Sequence, residues 1–287
     1  MCSICWPRST RKMLRVTMSA RNRKVYSGRG PMHSSRPRAP APPRQADPYD
    51  GVIIVDKPSG PTSHDVVDAI RKNFGFGKVG HGGTLDPMAT GVLVILIGRG
   101  TKLSNIFVKS DKTYEGSMRL GVATDSHDAD GKVVAEGDCG GVTVEDVRSL
   151  MLELTGDIMQ TPPMVSAVKV GGVPLYKRAR KGQKVKREPR LIHVYEFRLT
   201  AFRSPDVDFV LRCTKGTYVR SLCAEIGDRL GCRAHLAALR RTAAGGMSID
   251  NAVPLERVLG MEREELLPLI IPMHKFATYG LPGPLSP

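Results

Sequence analysis

The chain has 287 residues, 41% of them hydrophobic and 25% charged, the balance of a globular protein with room for one large domain or two small ones. Its longest apolar run, Val92 to Ile97, falls far short of the ~20 residues a spanning helix needs, which excludes a helical membrane span. The formal net charge of +15 is concentrated at one end: residues 1–46 carry 11 Lys or Arg and no Asp or Glu, leaving 32 basic against 28 acidic residues beyond them.

Residues 1–48 are rich in Arg, Ser and Pro, culminating in Arg36-Pro37-Arg38-Ala39-Pro40-Ala41-Pro42-Pro43-Arg44. Such a segment buries too little apolar surface to offset its ordering entropy and is predicted to be disordered. Three readings of it stand side by side: an organelle transit peptide, a basic arm that anchors RNA, or a start assigned too early, with Met13, Met18 and Met32 as other starts. Cys2-x-x-Cys5 has metal or redox spacing but no second Cys or His pair at a matching distance, so no metal site is expected. Cys139, Cys213, Cys223 and Cys232 are expected to be the reduced thiols of an intracellular protein.

Order is predicted to begin at Gly51, where Gly51 to Lys57 is a short β-branched strand ended at Pro58. Ser63 to Asn73 follows as an amphipathic helix with Val66, Val67 and Ile70 on one face. Residues 75–91 hold six glycines and are expected to be a loop, and Val92 to Ile97 is a buried strand. Thr101 is placed to cap a short helix containing Leu103, Ile106 and Phe107, after which Thr113 to Leu120 is strand. Thr143-Val144-Glu145-Asp146 opens a further helix as a capping box with Asp in place of Glu, and Gly156 stops it. Ser166 to Val170, Ile192 to Phe202 and Asp208 to Cys213 are strands, and Val219 to Leu230 is a helix closed by Gly231. This irregular alternation, with several adjacent strands, predicts an α+β fold on a mixed, largely antiparallel sheet flanked by helices.

The segment Gly80-His81-Gly82-Gly83-Thr84-Leu85-Asp86-Pro87-Met88-Ala89-Thr90-Gly91 packs glycines around one His and one Asp and then enters the buried strand. Glycines let a backbone approach a ligand closely. Pro87 holds Asp86 extended and so fixes the direction of its carboxylate. Asp-Pro is also a common turn dipeptide, so the residues alone leave an ordinary turn open. Ser126-His127-Asp128-Ala129-Asp130-Gly131 superficially suggests a calcium loop, but position 137 would have to be Glu and is Gly137; it is read as a turn.

Gly80 to Leu93 resembles the signature of the TruB-type tRNA pseudouridine-55 synthases. The resemblance extends through Asp56-Lys57-Pro58-x-Gly60-x-Thr62-Ser63, Thr101-Lys102, Lys112-x-Tyr114, Thr124-Asp125-x-x-Asp128-Ala129-Asp130-Gly131, Pro162-Pro163-x-x-Ser166-Ala167-x-Lys169, Lys215-Gly216-Thr217-Tyr218-x-Arg220 and Leu239-Arg240-Arg241. It covers residues 51 to about 275 in family order. It implies the pseudouridine-synthase fold and the isomerisation of a T-loop uridine in tRNA. It also implies that Asp86 is the catalytic carboxylate, partnered by Arg220, with Tyr114 stacked on the flipped base and His81 filling the space the base vacates. Tyr218 and Lys102 are similar to active-site neighbours in the family. The reaction gains no atoms and transfers no net electrons, so no cofactor is expected. A base inside a folded RNA loop is reached only by extrusion.

The basic stretch Tyr176 to Arg187 matches a region that forms part of an RNA-touching arm in the family, the plain alternative being a solvated charged loop. Two substitutions depart from the family pattern. Gly82 replaces the usual Thr or Ser and is expected to loosen the loop at His81; Val165 replaces a common aromatic residue. No room is seen for the family's usual C-terminal RNA-binding domain, which argues against the guide-RNA-dependent relatives. The organisation expected is therefore a basic extension over 1–48, a catalytic domain over 49–277 and a Pro/Gly-rich tail over 278–287. The protein is expected to be a cytoplasmic monomer that acts on the tRNA T-arm without a membrane or an obligatory protein partner, and to be organellar if the N-terminus is a transit peptide. A non-catalytic RNA-binding protein would show damage at Asp86, Tyr114 or Arg220, and all three are present. A glycosidase would need two paired carboxylates, and the Asp86 loop supplies one.

Overall fold

The computed structural model describes residues 47–276 except Ala167, Arg180 and Lys184, so the expectations for Cys2, Cys5 and the rest of 1–46, and for 277–287, lie outside the described residues. In chain order the first elements are β1 (Gly51–Lys57), α1 (Ser63–Asn73), β2 (Val79–His81), β3 (Thr90–Ile97), α2 (Ser104–Lys109), β4 (Lys112–Leu120), β5 (Val122–Thr124), β6 (Val133–Glu136), α3 (Val144–Glu153) and β7 (Gly156–Gln160). They are followed by β8 (Lys169–Val170), β9 (Val173–Pro174), α4 (Leu175–Ala179), β10 (Arg190–Arg203), β11 (Asp206–Cys213), α5 (Val219–Arg229), β12 (Ala234–Ala244), β13 (Met247–Ser248), β14 (Val253–Pro254), α6 (Leu255–Leu259) and β15 (Ile271–Pro272).

Strands β1 and β3 are apolar over Val52 to Val55 and Val92 to Ile97 because both their faces are covered there. Ile53, Val55, Leu93, Ile95 and Ile97 enter the main core with Val66, Val67 and Ile70 of α1, whereas Val52, Ile54, Val92, Val94 and Leu96 enter a second cluster with Phe107, Met247 and Phe276. That is the two-residue period of a strand buried on both sides. The main sheet among the described residues runs β14-β1-β3-β12-β4-β11-β10-β7, with β2 on β3, β13 on β12 and β15 on β1. Its pairs are antiparallel except β1 with β14 and β3 with β12. The mixed, largely antiparallel expectation holds. Helices α1, α3 and α5 cover one face through Val66, Val67, Val147, Met151, Leu222 and Ile226.

Helix starts follow local chemistry. Thr62 and Thr143 each accept a bond from the backbone N–H three residues on, and Asp65 and Asp146 reach back to the cap, the reciprocal capping-box pattern. Thr101 does not cap α2. It lies inside a 3-10 stretch, Gly98–Leu103, and its hydroxyl donates to the Gly98 carbonyl at 2.8 Å. The glycine-rich 75–91 segment is not wholly loop either, since β2 pairs there with β3 through His81 and Ile95. Within the strand expected over Ser166 to Val170, β8 occupies Lys169–Val170, and just before it Arg220 and Arg187 bind the Val165 and Pro162 carbonyls.

The main omission from the sequence reading is β12. It sits at the centre of the sheet between β3 and β4. Gly91 permits its contact with β3: at φ +98°, a Cβ there would come within 2.2 Å of the Arg241 carbonyl oxygen.

Candidate active site

Asp86 lies in the segment between β2 and β3, and this segment is held by its own carbonyl groups. Arg241 donates from Nη2 to Gly83 O at 3.1 Å, from Nη1 to Thr84 O at 3.2 Å, and from Nε to Val92 O at 2.8 Å. Ser63 Oγ donates to Leu85 O at 3.1 Å and accepts from Leu85 N–H at 2.8 Å. Ala89 N–H closes a turn on Asp86 O at 3.1 Å, while Gly60 N–H and Lys57 Nζ both donate to Pro87 O. Every carbonyl from Gly83 to Pro87 thus has a donor, which leaves the loop little freedom to move the carboxylate. Lys57 and Arg241 are 0% and 2% exposed. Burial lowers the Lys57 ammonium to about 8, with Asp86 opposing that shift and Arg241 adding to it.

The Asp86 carboxylate points into a cavity of about 310 Å³ whose wall also includes Tyr114, Tyr218, Arg220, Lys112 and Arg241. Arg220 Nε stands 2.9 Å from Asp86 Oδ2, and Arg220 Nη1 is 3.2 Å from Asp128 Oδ2. The same guanidinium donates to Ser126 O at 3.0 Å and Val165 O at 2.9 Å. One buried cation, 3% exposed, is therefore shared by two carboxylates of unequal exposure, Asp86 at 37% and Asp128 at 7%. Burial raises the Asp86 carboxyl above its ordinary value; Arg220 pulls it down, and the nearby Asp128 pushes it up again. Asp86 lines the cavity with 37% of its side chain exposed, and exposure to solvent weakens that effect.

Tyr114 comes from β4 and is 9% exposed. Burial raises its phenol to about 12, against the pull of the adjacent Arg241, so the hydroxyl stays protonated at neutral pH. Tyr218 immediately precedes α5 and is raised by burial too, opposed by a hydrogen bond with Ser166. Lys112 Nζ binds the Phe107, Val108 and Ser110 carbonyls at the end of α2, and burial lowers it to about 8.

Of the residues singled out from sequence, Asp86, Tyr114, Tyr218 and Arg220 share this cavity, and His81 and Lys102 do not line it. His81 stands two residues from Gly83, whose N–H donates to its Nδ1 at 3.3 Å, and burial lowers its pKa. Lys102 is exposed in the 3-10 stretch. Gly82 does not leave a gap: a Cβ there would come within 2.5 Å of Phe107 Cβ, so the aromatic ring takes up that space. Val165 exposes its side chain and contributes its carbonyl to Arg220.

Asp128, Lys57 and Arg241 were not assigned to the site from sequence. The signal for Asp128 was the Asp125–Gly131 turn itself, where Ser126 Oγ and Asp130 N–H bind the Asp128 carboxylate. Held on three sides and almost fully buried, Asp128 cannot act as the second carboxylate of a glycosidase. In the basic stretch, Arg178 donates to Val170 O and Arg187 to Pro162 O, both at 3.0 Å, while Lys177 and Lys181 are exposed. Among the described residues, no group of three or more His, Cys, Asp or Glu is arranged to hold a metal ion, and no helix is long and apolar enough to cross a membrane.

Residues 71–219 match the model of the TruB family pseudouridylate synthase N-terminal domain, and residues 220–277 match that of the tRNA pseudouridylate synthase B C-terminal domain. The second match takes in α5 from Arg220 onward and all of β12, so it contributes to the main sheet. The chain is 50% identical over 228 residues to tRNA pseudouridine synthase B of Opitutus terrae, covering 79% of this chain and 95% of that protein. It is 46% identical over 221 residues to the protein of the same name from Syntrophotalea carbinolica, covering 76% and 72%. Among solved structures, a chain of a Cbf5-Nop10-Gar1 complex is similar with a TM-score of 0.63 and 32% identity over 79% of this chain and 61% of that one. A chain from an H/ACA RNP bound to a substrate RNA containing 2'-deoxyuridine has a TM-score of 0.60 at 29% identity, over 79% and 60%. The chain thus spans about three fifths of the length of both these solved relatives.

Proposed function

Because this chain belongs to the TruB family of pseudouridylate synthases and is an RNA-uridine isomerase, we propose that its substrate is tRNA and its target the T-loop uridine at position 55. The observation that carries this reading is the Asp86 carboxylate, fixed at the wall of a 310 Å³ cavity beside Arg220, Tyr114 and Tyr218. A cavity of that size suits a single nucleotide, which has to leave its stack to enter.

In this reading the C1′–N1 glycosidic bond breaks, the uracil turns, and a C1′–C5 bond forms; C5 gives up a proton and N1 gains one. Asp86 acts on the ribose, as nucleophile at C1′ or base at C2′, and either role needs its ionised form. Arg220 keeps that form accessible against the burial that opposes it, and Asp128 takes part of the same positive charge, so Asp86 is not fully neutralised by its partner. The Tyr114 ring stacks on the turned base, with its hydroxyl available for proton exchange beside Arg241. His81 fills the space the base leaves in the loop, and Tyr218 and Lys102 contribute contacts around the RNA. We assign catalysis to residues 49–277 and read the protein as a monomer that acts in the cytoplasm without a protein partner; the relatives' name, tRNA pseudouridine synthase B, supports the tRNA substrate.

Incubation of the purified protein with an unmodified tRNA transcript, followed by chemical mapping, is expected to give pseudouridine at one T-loop position. Product only elsewhere, or none, overturns the assignment.

A further inference from the structure

Arg220 is the second residue of α5, and its placement depends on how that helix begins. Tyr218 precedes the helix as its N-cap but makes no side-chain capping bond, so the first turn must be anchored another way. The anchor comes from 58 positions away. Gln160, the last residue of β7, donates from Nε2 to Tyr218 O at 3.0 Å and accepts from Tyr218 N–H at its Oε1 at 2.8 Å. Gln160 is 5% exposed, and Tyr218 O also receives the Ser221 and Leu222 amides of the first helical turn. One side-chain amide therefore holds both backbone polar groups of the residue from which α5 starts.

We propose that Gln160 is a positioning residue of the active site: its amide sets the start of α5 so that Arg220 reaches Asp86 and Asp128 and Tyr218 faces the cavity. The claim rests on the reading that Asp86 and Arg220 carry the chemistry. Gln160 does not line the cavity, so it acts through its partners. An amide suits the task because it donates and accepts in one plane without bringing a charge into the interior. An ionised carboxylate of the same length accepts from Tyr218 N–H but turns a second acceptor toward Tyr218 O, and an apolar side chain takes the acceptor from Tyr218 N–H and leaves Tyr218 O with the helical amides alone.

The test compares Gln160→Glu and Gln160→Met with wild type at a temperature where all three are folded. Displacing the reacting groups slightly is expected to lower kcat for the tRNA transcript by roughly 10- to 100-fold with KM changed much less. The kcat of Gln160→Glu relative to wild type should rise as pH falls, because its protonated carboxyl regains a donor, while the ratio for Gln160→Met stays flat. Hydrogen exchange gives a readout independent of turnover: peptides covering residues 217–224 should exchange faster in Gln160→Met, with α3 unchanged. Wild-type kcat in a folded Gln160→Met, or unaltered exchange at 217–224, overturns the proposal. If the wild-type protein makes no pseudouridine in any RNA, the functional reading fails, and exchange alone still decides whether Gln160 holds α5.

Discussion

Arg220, from the first turn of α5, and Arg241, from the middle of β12, both end beside the Asp86 segment, but they meet different atoms there. Arg220 meets charge, sharing its guanidinium between the Asp86 and Asp128 carboxylates. Arg241 meets neutral groups: the Gly83 and Thr84 carbonyls of that segment, the Val92 carbonyl of β3 and the Tyr114 hydroxyl. A cation facing carboxylates changes when they ionise. One facing carbonyls fixes where the chain runs, through bonds strengthened by its charge. The comparison separates residues that set the chemistry of Asp86 from residues that set its position.

The largest expected effect is on the chemical side. Asp86→Asn removes the ionisable oxygen and keeps the shape, so it should bind tRNA and form no pseudouridine at the mapping limit. Its stability should not fall. Because burial raises the Asp86 pKa in the folded state, ionisation opposes folding: that cost is absent below the unfolded value of 3.8 and complete once the pH has risen past the folded one. Melting at pH 7 should therefore show the variant as stable as wild type or more so. Turnover by Asp86→Asn would end the assignment of that carboxylate.

The two arginines should then part company. Arg220→Lys keeps the charge but loses the fork that spans two carboxylates, so kcat should fall on the order of 10²-fold, as expected when reacting groups shift by about an ångström. Arg241→Met leaves the Gly83, Thr84 and Val92 carbonyls without this donor, at about 1–3 kcal/mol for the buried Val92 carbonyl and less for the part-buried other two. Urea unfolding should show that loss directly. If Arg220→Lys unfolds as easily as Arg241→Met, or if Arg241→Met proves fully stable, the division between chemistry and position fails.

What could be read from sequence follows the same division. The Asp86 loop, Arg220 and Tyr114 lie in short segments with unusual local chemistry, and a resemblance needs no tertiary structure to find them. α1 and the α3 capping box were legible because helix boundaries are set by neighbouring residues. β12 was not, since Ala234-His235-Leu236-Ala237-Ala238-Leu239 favours helix, and the strand exists because β3 and β4 flank it. Without that strand, Leu239-Arg240-Arg241 does not reveal what Arg241 holds. Asp128 was hidden for a related reason: a turn of Ser, Asp and Gly explains itself locally, and only the fold brings Arg220 to it across 92 positions.

A smaller effect tests whether the shared guanidinium tunes Asp86. In the proposed mechanism the ionised carboxylate is the active form, and its pKa is raised, so kcat/KM should fall on the acid side at a pH above that of an ordinary aspartate. Asp128 contributes to that rise. Asp128→Asn should therefore move the acid limb toward lower pH, whatever it does to the maximum rate. A limb that stays in place would show that Asp128 supports the turn and does not bear on the titration of Asp86.

The smallest effect concerns RNA affinity, where the basic stretch divides in the same way. Arg178 and Arg187 spend their guanidinium groups on the Val170 and Pro162 carbonyls, whereas Lys177 and Lys181 face solvent. The solvent-facing lysines are positioned to meet phosphates and displace counterions, and the two committed guanidinium groups are not. Each Lys→Ala change at 177 or 181 should reduce the slope of log affinity for tRNA against log salt by about 0.7–0.9 if that lysine meets one phosphate, leaving kcat at saturating tRNA unaltered. Arg187→Ala should instead leave the slope as it is and loosen the loop that carries Val165, the carbonyl partner of Arg220. Equal slopes for both lysine variants and wild type would make the stretch a solvated loop.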